Sequence, residues 1–182
     1  MRFPFSRLNE GTVVLIPACI AITAVLVASA IAGGKGPQAN GDATHGPVLT
    51  VDRTMVFDAQ EFTHPKTGAV TDRGQIHFTQ VFASGVNEGQ TQADWVGNVD
   101  CYHQDGNEAW FSGTIDTVNS VLLPNPGNAF FSAYVVDNQA GGSGDTPDAF
   151  ALRRASTAFN CENEDTSQTV ATHTGNITVH DG

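Results

Sequence analysis

Positive charge is the scarcest resource in this chain. Eight lysines and arginines stand against nineteen aspartates and glutamates, giving a formal net charge of −11. So few cations cannot form the basic stripe a phosphate backbone requires, and the net field repels anionic membranes. Nucleic acid is therefore excluded as a partner. Methionine, tryptophan and tyrosine occur twice each, beside nineteen glycines and eight prolines, a balance that suits a turn-rich β protein. Beyond Ala32 no window sustains helical periodicity. Catalytic signatures are missing too: there is no G-x-S-x-G, H-x-H or H-E-x-x-H, no P-loop and no dinucleotide fingerprint. The six histidines are scattered, which reads as surface placement rather than a zinc site.

One long apolar run is present, TVVLIPACIAITAVLVASAIA at residues 12–32, preceded by Arg2 and Arg7 and followed by GGKG. It is expected to be a secretory signal cleaved near Gly33, or, being long enough to span a bilayer, a retained N-terminal anchor. Either places the rest of the chain in the cell envelope or outside the cell, with membrane contact only through this segment. Beyond residue 32 the chain keeps 6 basic against 18 acidic residues, a net charge of −12.

Residues 33–46, GGKGPQANGDATHG, lack apolar periodicity and read as a flexible spacer. Residues 47–182 read as a single β domain. Short apolar segments at 48–52, 54–57, 75–83, 95–103, 108–116, 130–137, 149–153 and 175–180 alternate with turn clusters. This pattern predicts an all-β fold, an antiparallel sandwich or flattened barrel of about eight strands.

The stretch GNVDCYHQDGNEAWFSGTI at residues 97–115 predicts a hairpin. A three-residue loop of Gln104, Asp105 and Gly106 would set Cys101 opposite Ala109 and Val99 opposite Phe111, sending both apolar sets to one core. Cys101 then points inward, and Asp100, Tyr102 and Trp110 share the other face. That face is a candidate surface for carbohydrate or protein, unless a second sheet or a loop covers it. In an oxidising compartment the two cysteines beyond the signal, Cys101 and Cys161, are expected to form a disulfide. The alternative is a Cys101 thiolate activated by His103.

Three motifs recur in order: G-N-V-D-C with D-G-N-E-A-W-F-S-G-T-I, then Y-V-V-D-N-Q at residues 134–139, then G-N-I-T-V-H-D at residues 175–181. Over residues 75–181 the chain resembles a group of small secreted bacterial proteins with G-x-V-x-C, G-N-x-A, V-x-D-N and terminal G-N-[IV]-x-V-H-D motifs. Gln139 stands where that group usually has glycine. The resemblance implies an exported β domain with Cys101 paired to Cys161, and it carries over no catalytic residue.

The acidic, glycine-rich loop after Val136 offers hard oxygen ligands from Asp137, Asn138, Asp145 and Asp148. These are a candidate calcium site, although the EF-hand spacing is not met. The plainer reading is a solvated loop whose Asp and Gly residues serve turns. Together these features point to a non-catalytic binding module with a protein or carbohydrate ligand. The alternatives are a secreted hydrolase whose catalytic residues are not recognisable, and a secreted inhibitor or structural surface protein. Catalysis would require at least two of His77, Asp100, His103, Glu108 and His180 to meet in one cleft.

Overall fold

The computed structural model describes residues 34–48, 51–119, 129–138, 147–167, 169–172 and 174–181. The expected signal or anchor and Asp145 lie outside these residues. Among those described, no helix is long and apolar enough to cross a membrane.

Nine antiparallel strands form one sheet, curled into a half-barrel. They are β1 (Gly34–Val48), β2 (Val51–Thr63), β3 (Val70–Phe82), β4 (Thr91–Asp105), β5 (Glu108–Val118), β6 (Phe130–Val136), β7 (Ala149–Ala155), β8 (Val170–Ala171) and β9 (Thr174–His180). Their order in the sheet is β8-β7-β6-β5-β4-β3-β2-β1-β9. The chain meanders from β1 to β8, then places β9 beside β1, at the far edge. Only Thr172 and His173 separate β8 from β9. Three Cα–Cα steps of 3.8 Å cover at most about 11 Å, so the two edges must come close together. That short connection curls the sheet.

The edges are joined by side chains. The Ile177 N–H donates to Asp148 Oδ2 at 2.7 Å, and the Val179 N–H donates to Asp137 Oδ2 at 3.1 Å. Asp148 Oδ1 also accepts the Asn138 N–H at 3.0 Å. Backbone donors on the free side of β9 thus find carboxylates where a barrel would supply another strand. On the other side of the gap, His45 Nδ1 meets the Ala171 carbonyl at 2.8 Å. A carbonyl only accepts, so Nδ1 carries the proton.

The spacer expected at 33–46 is instead the body of β1, paired with β2 and β9. Its inward residues, Ala39 and Ala43, are buried but small, so they leave no apolar pattern to read. The two short strands expected at 48–52 and 54–57 fall on the single long β2, apart from residues 48–50.

Inside the curl, Met55, Phe57, Ile76, Phe78, Trp95, Phe111, Phe131 and Ile177 form the main core. Phe131 packs between Trp95 and Phe111, with ring centroids at 5.7 and 6.4 Å. Gly97 and Gly113 make room for it: a Cβ on Gly97 would lie 2.8 Å from the Phe131 ring, and one on Gly113 would lie 1.8 Å from the Asn98 carbonyl oxygen. Glycines within strands mark this kind of close approach.

The buried Asp148 side chain accepts two backbone N–H groups that have no other route to solvent, and hydrogen bonds to charged groups contribute about 1.5–3 kcal/mol each. Asp148→Ala should therefore cost about 3 kcal/mol in urea-denaturation free energy, and Asp148→Asn should cost less. A loss for Asp148→Ala below about 0.5 kcal/mol, the range of ordinary surface changes, would mean the edges hold without it.

Candidate functional site

The β4–β5 hairpin turns through two residues, Gly106 and Asn107, with Asp105 opposite Glu108. Gly106 has φ 59°, the left-handed value required at the first position of a type II′ turn. The three-residue loop expected at Gln104–Gly106 is therefore incorrect. Cys101 faces Ser112 rather than Ala109, and Tyr102 faces Phe111. A register shift between Val99 and Cys101 then reverses the alternation along β4. Val99 and Tyr102 thus both point into the core, while Cys101 and His103 point out.

The expected open face of Asp100, Tyr102 and Trp110 does not form. Asp100 is exposed, but Tyr102 is 7% exposed within the inner core. Trp110 is 4% exposed, in a second cluster on the outer face with Tyr134, Ala151 and Cys161. Trp110, Tyr134 and Ala151 lie in one row across β5, β6 and β7. Trp110 stacks on Tyr134 at 5.0 Å. The covering loop is the segment after β7: the Phe159 carbonyl accepts from the Ser112 hydroxyl at 3.3 Å, and His103 Nε2 meets Glu164 Oε1 at 3.1 Å. The expected disulfide is present, Cys101 to Cys161 with Cα atoms 5.9 Å apart, and it ties this segment to the sheet. A bridged Cys101 leaves no thiolate to activate.

The acidic-loop residues have structural partners. Asp137 and Asp148 receive the β9 N–H groups, and Asn138 Nδ2 donates to the Pro147 carbonyl at 2.7 Å, closing the base of the loop. Among the described residues no group of three or more His, Cys, Asp or Glu side chains could hold a metal ion. The five residues a cleft would need are dispersed as well. His77 pairs with Asp94 at 2.7 Å, His103 lies on the outer face, Glu108 stands beside Tyr134, and His180 lines a small cavity with Gly36, Gln38 and Asp181.

A different site emerges at one end of the half-barrel. There a cavity of about 360 Å³ opens between β2, β3 and β4 on one side and β7 and β8 on the other. Phe78, Trp95, Phe150, Leu152 and Val170 give it apolar walls, and Arg53 and Arg154 also line it. Each arginine sits in an inward row: Val51, Arg53, Met55 and Phe57 on β2, and Phe150, Leu152 and Arg154 on β7. Among the described residues six buried side-chain polar atoms lack a partner: Arg53 Nε, Arg154 Nη1 and Trp95 Nε1 on residues that line this cavity, His45 Nε2 on the strand beside Arg53, and Arg73 Nε and Trp110 Nε1 elsewhere. Trp95 is 0% exposed. Burial pulls the Arg154 guanidinium below its ordinary range. An unmatched buried donor costs about 1–3 kcal/mol, more when charged, so three in one cavity is a considerable cost.

Sequence reading missed both arginines because it broke the second strand at Arg53 and ended the seventh at Arg153. The available signal was a cation in an otherwise apolar alternating face. No protein-family model matches this chain, and no curated protein or solved structure matches it either.

Burial, with help from the Glu108 carboxylate, pushes the Tyr134 phenol up to about 12, and burial pushes Tyr102 higher still. Both folded values lie above the unfolded value near 10. The tyrosine contribution to stability is therefore complete below pH 10 and is lost as pH climbs from 10 towards 12 and beyond. Spectrophotometric titration should show negligible phenolate at pH 11 while the protein stays folded, and two phenolates once urea is added. Phenolate appearing near pH 10 in the folded protein would contradict this packing. Separately, the disulfide closes a loop of about 60 residues, which chain entropy values at about 4 kcal/mol. The double variant Cys101→Ala/Cys161→Ala should lose about that much in urea denaturation. It should keep its β circular dichroism, because the inner core does not depend on the bridge.

Proposed function

We propose that this chain is a non-catalytic binding module of the cell envelope or the extracellular space, and that its ligand is a small molecule held in the cavity of the half-barrel. The observation that carries this reading is a cavity of mixed apolar and polar lining, flanked by two arginines that have no carboxylate partner among the described residues. Concave sites that combine apolar walls with a few placed polar groups are how proteins hold small ligands, and about 360 Å³ lies within their usual size range. Catalysis is not favoured, since none of the five candidate acid–base residues lines this cavity.

The loop over Trp110 removes the aromatic face that favoured carbohydrate or protein as the ligand. Export is supported by the Cys101–Cys161 bridge, because disulfides persist in oxidising compartments. The resemblance to small secreted bacterial proteins points the same way.

Thr169 is exposed and lines the cavity, so Thr169→Trp should fill it without disturbing the core. At least one of two fluorescent probes, neutral N-phenyl-1-naphthylamine or anionic 8-anilino-1-naphthalenesulfonate, should bind the native chain with 1:1 stoichiometry. That binding should weaken at least tenfold in Thr169→Trp at unchanged melting temperature. Failure of both probes to bind, or binding indifferent to Thr169→Trp, would count against the cavity as the site.

A further inference from the structure

We infer that the ligand of this cavity is an organic anion, a carboxylate carried on an apolar body, gripped by Arg53 and Arg154 beside the Trp95 ring. The inference rests on the binding-module reading above and names the chemical class that site selects.

The first step is the chemistry of the donors. Guanidinium and indole N–H groups donate and do not accept, so three unmatched groups of this kind can be satisfied only by acceptors. The second step is charge. Six basic residues lie beyond residue 32, and two of them line this one cavity. Arg153 is paired with Asp165, and Arg73 sits 3.8 Å above the Phe62 ring. Neither Arg53 nor Arg154 has a carboxylate partner among the described residues. Both guanidiniums are half-buried; an anion pairs with them where a neutral ligand does not, and a guanidinium matches a carboxylate in shape as well as charge.

The third step concerns the rest of the ligand. Phe78, Phe150 and Leu152 line the cavity beside Gln80 and Thr169, and that mixed lining fits a carboxylate on an apolar body better than a small hydrated ion such as free phosphate. Long-range attraction does not contribute, because the chain carries a net −11 and repels anions at a distance. Recognition is local, made by two half-buried arginines at the cavity.

Two probes of one shape test the inference: 2-naphthoate and its neutral counterpart 2-naphthamide, each titrated calorimetrically into the native chain. Naphthoate should bind at least tenfold more tightly. Arg53→Gln and Arg154→Gln should each weaken naphthoate at least tenfold and leave naphthamide within twofold. Neither variant should lower the melting temperature, since each removes a half-buried cation that has no carboxylate partner among the described residues. Arg53→Lys, which keeps the charge but not the fork, should fall in between. With only two tryptophans, assignment of the indole N–H resonances is direct, and naphthoate should shift that of Trp95 and not that of Trp110.

Equal binding of the two probes, or naphthoate binding indifferent to both glutamine variants, overturns the anion while leaving the cavity as a site. Inorganic phosphate displacing naphthoate at equal concentration overturns the apolar body. No binding of either naphthalene overturns the anion inference. If the two fluorescent probes also fail, the cavity reading falls with it.

Discussion

Everything in this fold follows from the distance between the last two strands. Strand β8 lies at one edge of the sheet and β9 at the other, yet two residues join them. A flat sheet of nine strands at about 4.8 Å spacing would hold its edges nearly 40 Å apart, several times the reach of that connection. The sheet therefore curls until its edges meet, and the curl creates an interior. The residual gap is narrow enough for a side chain to cross. Asp148 and Asp137 do so from one side, accepting the N–H groups of Ile177 and Val179, and His45 braces the other. Without these acceptors β9 would present bare donors to the core, an expensive arrangement in a dry place.

A single sheet has two faces, and curling buries only one. The other needs separate cover, which explains why the segment after β7 folds back over Trp110 and Tyr134. This segment holds only one short 3-10 turn, Cys161–Asn163, so little local structure keeps it in place. The covalent bridge from Cys161 to Cys101 and the contacts from Ser112 and His103 do that work instead. The disulfide is thus a fastening between sheet and cover. Sequence could suggest its existence but not its purpose, because the outer cluster it secures forms only when β5, β6 and β7 align.

The strands legible in advance were those with large side chains alternating on one face. Ile76 and Phe78 on β3, and Ile177 and Val179 on β9, announce their periods plainly. Strand β1 was illegible because its buried positions hold only alanine, and its strand character comes from two neighbours rather than from its own residues. The hairpin failed for a subtler reason. Apolar pattern chooses between registers only if alternation is unbroken, and the shift after Val99 breaks it. Once the register moves, Tyr102 enters the core and the proposed surface disappears. The cavity was hidden by the same logic turned around: a cation among apolar residues was taken as the end of a strand, when the strand runs on through it.

The strongest reason to read Arg53 and Arg154 as functional is the contrast with how the rest of the chain treats its donors. Carboxylates are abundant here, and where a strand N–H lacks a strand partner one is supplied. Asp148 serves Ile177, Asp137 serves Val179, and Asp72 serves Tyr102 where β3 and β4 part, although burial raises the Asp72 carboxyl above its ordinary range. A single aspartate at Gln80, directly across from Arg53, would have compensated that guanidinium in the same way. Apolar residues at either arginine would have removed the need altogether, and replacing buried charge by well-packed hydrophobic groups is often neutral or stabilising. Folding alone therefore gives little reason to place at one cavity two half-buried guanidiniums without carboxylate partners among the described residues. That placement is what supports the proposed anionic ligand.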